Sequence, residues 1–132
     1  MSFGLLSRFY ENIKRNSERK QISTTYGLSP ETLESLLQHC AYVRNLCAHH
    51  ARLWNRQFSI KPKVMKAYMQ QMSRNHTFYA QAALLYVLMY IIADGSKWQR
   101  RLMELLAKHP NINLRAMGFP PDWQHDPFWR LT

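Results

Sequence analysis

Between Pro30 and Pro62 the chain contains no glycine and no proline. Within that stretch Leu33, Leu36, Leu37, Cys40, Val43, Cys47, Ala51 and Trp54 recur at intervals of three and four, the period of one helix face. Ser29-Pro30 supplies a start signal, a hydroxyl N-cap followed by a proline at the first helical position. The pattern predicts one helix from there to about Asn55, roughly 26 residues and about 39 Å long. A chain of 132 residues with four glycines has few turn residues left for hairpins. The expected fold is therefore all-α, a bundle of about five to six helices around one long central helix, forming a single domain over residues 1–132.

The remaining elements follow from caps and breakers. A first helix is expected over Ser2–Ile13 and a second over Ser17–Tyr26, stopped by Gly27. Gln57–Asn75 reads as a basic connector with a helical turn around Val64–Met72. Thr77–Ala93 is apolar on nearly all sides and is expected at the centre of the core, closed by Asp94-Gly95. Ser96-Lys97-Trp98-Gln99 has the form of a capping box opening a helix to about Lys108. Asn113–Met117 is expected as a short helical segment, and the tail from Gly118 to Trp123 as a piece held by its aromatics. The apolar run Ala82–Ala93 is too short for a bilayer, which needs about 20 residues, so no membrane association is expected.

Charge narrows the partners. The formal net charge is +10, and no Asp or Glu occurs between Glu34 and Asp94. Arg44, Arg52, Arg56, Lys61, Lys63, Lys66 and Arg74 fall in that stretch. An acid-free basic stretch attracts polyanions, so RNA is the expected partner and Arg52, Arg56, Lys61, Lys63, Lys66 and Arg74 the expected contacts. A solvated basic face without a ligand is the alternative.

On a wheel with Cys40 at zero, Asn45, His49, Arg52 and Arg56 fall at about 140°, 180°, 120° and 160°, one narrow polar stripe. An imidazole can move a proton near neutral pH, and guanidinium groups hold phosphates through paired hydrogen bonds. Arg44 falls near 40°, inside the apolar stripe, where a charge needs a partner or an edge. His50 falls near −80°, turned away from His49. Cys40 and Cys47 are about 10 Å apart on one helix, beyond the roughly 7 Å reach of a disulfide. His39, Cys40, Cys47 and His50 match no zinc spacing, so neither a metal nor another cofactor is expected. Unpaired cysteines and the lack of a signal-peptide pattern make a reducing cytoplasm the expected compartment.

The run Arg44-Asn45-Leu46-Cys47-Ala48-His49-His50-Ala51-Arg52-Leu53-Trp54-Asn55-Arg56 resembles the hallmark of the Abi-like family of bacterial abortive-infection proteins. Met1-Ser2-Phe3-Gly4 and Ala116-Met117-Gly118-Phe119-Pro120 resemble that family as well. Its members are longer before the first of these stretches, so the chain corresponds to their C-terminal part. The family looks like a branch of the HEPN superfamily of helical domains, many of them metal-independent endoribonucleases with an R-x4-6-H motif that meets its copy across a dimer.

Carried over, the resemblance implies that Arg44 and His49 are catalytic and that Asn45 is the polar residue beside the arginine. His50 would fit a five-residue spacer, so the choice between the histidines stays open. It further implies RNA cleavage in toxin-like anti-phage defence, a homodimer through the motif helix, and room for an antitoxin RNA or protein as a second partner. A non-catalytic RNA-binding or regulatory module that dimerises is the competing expectation.

Overall fold

The computed structural model describes residues 1–93 and 97–130. Among these residues six α-helices and three short 3-10 turns occur, and no strand. They are α1 (Phe3–Glu11), α2 (Asn16–Thr25), α3 (Pro30–Ala48), α4 (Met69–Met72), α5 (Phe78–Ala93) and α6 (Trp98–Ala107).

Helix boundaries follow side-chain chemistry. The Ser2 hydroxyl accepts the Leu5 amide, and that of Ser29 accepts the Thr32 amide, so α1 and α3 both open on serine caps. α2 ends as its sequence predicts. Gly27 adopts φ 67°, its N–H donates to Thr24 O, and that of Leu28 reaches Ser23 O. That double bond is the Schellman closure, which needs a left-handed residue after the cap.

α5 is the hub. From Tyr79 to Val87 only Leu85 is not fully buried, so this helix has no solvent face over that length. Leu36 of α3, Leu102 of α6 and the tail residues Met117, Phe119, Trp123, Phe128 and Trp129 pack on it. Trp129 is fully buried and stacks on Tyr86 with ring centroids 5.2 Å apart. The tail is thus held by its aromatics, as expected. Gly118 lies so close to the start of α5 that a Cβ there would sit 2.7 Å from Thr77 Oγ1. Thr77 Oγ1 in turn accepts the Ala80 amide at 3.3 Å and opens the helix.

Several expectations need correction, and two cannot be compared. Residues 114–118 form successive turns rather than a helical segment, because Asn113 Oδ1 accepts the Ala116 amide and Gly118 turns left-handed. The second correction, to the extent of α3, bears on the site and is taken up there. The closure by Asp94-Gly95 and the capping box beginning at Ser96 lie outside the described residues. No described helix is long and apolar enough to cross a membrane.

Candidate functional site at the C-terminal end of α3

The long helix stops at Ala48, not near Asn55. His49 is its C-cap, and His50 takes φ 53°, the left-handed conformation. The His50 N–H donates to Cys47 O and the Ala51 N–H to Leu46 O. This is the closure that Gly27 gives α2, with a histidine where glycine is usual. Asn55, at φ 49°, makes a second left-handed turn. Histidine and asparagine visit this region more readily than most residues, so no glycine was there to mark the end.

The early stop rearranges the polar stripe. Asn45 and His49 remain one helical turn apart, linked through the His49 amide to Asn45 O at 3.1 Å. Arg52 and Arg56 lie beyond the helix and do not continue the stripe. Cys47 and Trp54, expected in the core, are exposed, Trp54 by 53%. Arg44 is corrected too. The fully buried positions of α3 are Leu33, Leu36, His39 and Val43. On the wheel they centre about 50° away from Cys40 on the side opposite Arg44, which leaves Arg44 roughly 90° from the core face. It is exposed and donates to Asn45 Oδ1 at 3.2 Å. Arg44, Asn45, His49, His50 and Arg52 thus gather, all exposed, around one helix end.

Residues five apart on a helix are turned by about 140°, so Arg44 and His49 of one chain face different ways. The carbonyl end of a helix carries partial negative charge, which favours cationic side chains there. Such a group can grip a phosphate from one side and offer an imidazole from another.

The connector after α3 folds back along it, antiparallel. Tyr42 Oη accepts Ser59 N–H at 3.3 Å and pairs with Ser59 Oγ at 3.1 Å. These bonds hold the Tyr42 phenol below its usual range. One helical turn back, His39 Nδ1 meets Ile60 O at 2.6 Å. One turn further, Ser35 Oγ accepts the Lys63 amide at 2.7 Å. Ser35 and His49 are about 21 Å apart along the axis. Arg56 therefore lies beside the motif end, whereas Lys63 and Lys66 lie at the other end of α3. Arg74 is exposed on the returning limb, next to Asn75, whose amide donates to Pro62 O at 2.8 Å.

His39 was weighed above as a metal ligand, yet the fold uses both its ring nitrogens. The ring is fully buried, set edge-on to Phe58 at 5.6 Å, and its Nε2 contacts the Gln81 side-chain amide. With Nδ1–H given to Ile60, Nε2 of a neutral ring is an acceptor. The Gln81 amide satisfies it in the orientation that presents N–H, which also relieves its otherwise unpartnered, buried nitrogen. Cys40 and Cys47 are free, and burial pushes the Cys40 thiol up to about 11. No group of His, Cys, Asp or Glu among the described residues could hold a metal ion. Sequence reasoning missed Tyr42, Ser59, Gln81 and the structural role of His39. The one available signal was a histidine at the core spacing of α3.

Comparison with known proteins adds one match. Residues 1–55 match the family described as Abi-like protein. The matched span holds α1, α2, α3 and the motif through Asn55, while the segment 116–120 lies beyond it. No curated protein and no solved structure matches the chain.

Proposed function

We propose that this chain, which matches the Abi-like family over residues 1–55, is a metal-independent endoribonuclease of the HEPN type that acts in abortive-infection defence as a homodimer. One observation carries this. Arg44, Asn45, His49 and His50 are all exposed, so the polar side chains of the motif are free of the core while the backbone beneath them is fixed by the helix closure. Polar side chains grouped on a rigid frame without a packing role are suited to binding or chemistry.

In the proposed reaction His49 takes the proton of a ribose 2′-hydroxyl. The 2′-oxygen bonds to phosphorus, the bond from phosphorus to the 5′-oxygen breaks, and that oxygen leaves with a proton from a general acid, the partner's histidine or water. Arg44 stabilises charge on the pentacoordinate phosphorus, and Asn45 orients the scissile phosphate. The products are a 2′,3′-cyclic phosphate and a 5′-hydroxyl. Because Arg44 and His49 diverge on one helix, a two-fold dimer is the natural way to make them converge. Two arginine-bearing ends repel each other, so an RNA strand between them strengthens the pairing.

The test is product-end analysis of incubated RNA with and without chelator. His49→Ala abolishes cleavage, a loss of about 10² to 10⁴ in rate, and Arg44→Lys does not restore what Arg44→Ala removes. His50→Ala is the control that decides between the histidines. Wild-type cleavage that survives chelator and both histidine substitutions would refute the assignment.

A second function, RNA binding without cleavage, draws on the length of the basic connector, whose far lysines lie well away from His49. In that case affinity falls with salt at a log–log slope of about −0.7 per phosphate, while the RNA stays intact.

A further inference from the structure

At the far end of α3, opposite the motif, a cleft of about 680 Å³ opens between the α2–α3 turn and the segment 63–68. Its volume suits a single mononucleotide-sized ligand. Lys63 and Lys66 enter it from the connector, Ser29 and Thr32 from the start of α3, and Tyr26 and Tyr68 stand at its sides. The lining contains no Asp or Glu, and Leu28, Val64, Val87 and Ile91 make part of it apolar.

Each part suits a different portion of one ligand class. Two ammonium groups can hold a phosphate dianion, with Glu31, outside the lining, acting on Lys63 from the side. The Ser29 and Thr32 hydroxyls are paired with each other at 2.8 Å and leave a sugar only their remaining lone pairs. A tyrosine among apolar side chains accepts the flat face of a base, and Tyr26 is 41% exposed, so its ring is available. Inorganic phosphate would leave the apolar side chains of the lining and the tyrosine unused. The start of α3 adds no anion site of its own. Ser29 Oγ already accepts the Thr32 amide, and Glu31, outside the lining, is held below its usual range chiefly by its own backbone N–H.

We infer that this cleft is a nucleotide-binding site that holds a phosphate on Lys63 and Lys66 and a base against Tyr26. The site is separate from the proposed cleavage centre. Its ligand is either a free nucleotide or one unit of an RNA chain, which share this chemistry.

The experiment uses the whole chain and three probes, 5′-AMP, inorganic phosphate and a ten-nucleotide single-stranded RNA, with binding followed by calorimetry or NMR. Wild type is expected to bind 5′-AMP in preference to inorganic phosphate. The double variant Lys63→Gln, Lys66→Gln weakens 5′-AMP by tenfold or more. Tyr26→Ala weakens 5′-AMP by about fivefold or more and leaves phosphate unchanged. Arg44→Ala leaves 5′-AMP binding unaltered.

If 5′-AMP also displaces the RNA, the occupant is an RNA unit; if it binds without displacing RNA, the occupant is a free nucleotide. The inference is overturned if 5′-AMP fails to bind at millimolar concentration. It is overturned equally if the double variant binds as wild type does, or if inorganic phosphate binds as well as 5′-AMP. The substituted lysines are exposed, and thermal melts matching wild type confirm that the variants remain folded. Cleavage is read separately through His49, so failure of one proposal leaves the other standing.

Discussion

Replacing His50 by glycine should raise stability while testing whether this histidine has a chemical task. His50 occupies the left-handed position of the closure that ends α3, at φ 53°. A left-handed residue with a Cβ costs roughly 1–2 kcal/mol, and histidine sits toward the low end because it tolerates this region. Glycine removes that cost but raises the entropy of the unfolded chain by about 0.5–1 kcal/mol. The net gain for His50→Gly is up to about 0.5 kcal/mol, a rise in Tm of up to about 2 °C for a domain of this size. His50→Ala keeps the Cβ and the strain, so its Tm stays level or falls. Thermal melts of both variants beside wild type measure the difference. A His50→Gly protein less stable than His50→Ala would refute the left-handed closure. Catalysis is then read on a protein known to be folded, so a loss of cleavage in His50→Gly could not be blamed on unfolding.

Three further outcomes follow from other parts of the fold. Gly118→Ala combines a left-handed φ of 89° with a 2.7 Å approach to Thr77 Oγ1. It should cost about 2–4 kcal/mol in denaturant unfolding, and a loss under about 1 kcal/mol would show that the start of α5 yields easily. His39→Ala removes a fully buried ring and leaves Ile60 O and Gln81 without their partner, for about 3–5 kcal/mol. Its connector should become the first site of limited proteolysis, and unchanged resistance over residues 57–66 would contradict the pinning. Cys40, with its thiol pushed up to about 11, should react with iodoacetamide at pH 8 about a hundredfold more slowly than an ordinary thiol. Peptide mapping that finds Cys40 labelled as fast as the exposed Cys47 would refute the burial.

The strong local signals in the sequence were legible, and those that depend on tertiary contacts were not. Ser29-Pro30 placed the start of α3, Gly27 the end of α2, and the all-round apolar run the central helix α5. The end of α3 was missed because its left-handed residues are histidine and asparagine, and an apolar period running on to Trp54 imitated a helix. A helix running to Asn55 carries Arg52 and Arg56 onto a polar stripe that the fold does not form. Taking Cys40 and Cys47 as the centre of the apolar stripe puts Arg44 inside it, whereas Leu33, Leu36, His39 and Val43 form the buried face. Residues 116–120 stood out as a segment of resemblance, and the fold gives them a packing role. Met117 O accepts the Tyr79 amide and Gly118 presses on Thr77, so the segment seats the start of the central helix.

The acid-free stretch has a physical logic that the folded connector makes visible. A basic segment is usually pinned to its neighbours by carboxylates, and each such pair neutralises the charge it fastens. Here the fastening is done by neutral groups acting on backbone atoms. Ser35 Oγ accepts the Lys63 amide, Tyr42 Oη that of Ser59, His39 meets Ile60 O, and Asn75 donates to Pro62 O. The ion pairs found among the described residues, Arg15–Glu18, Arg19–Glu34 and Arg100–Glu104, all lie elsewhere. Lys61, Lys63 and Lys66 therefore sit on a segment whose path is fixed without using their charge. The segment lies along about 21 Å of helix, from the exposed motif at one end to the lysine-lined cleft at the other. Glu31 acts on Lys63 at the cleft end, but no ion pair among the described residues engages these lysines; a fixed row of such cations suits a polyanion, since the cost of ordering the segment was met when the chain folded. Replacing the pinning hydroxyls with acids would keep the path and weaken the field, so under the proposed RNA binding the missing carboxylates matter as much as the lysines do.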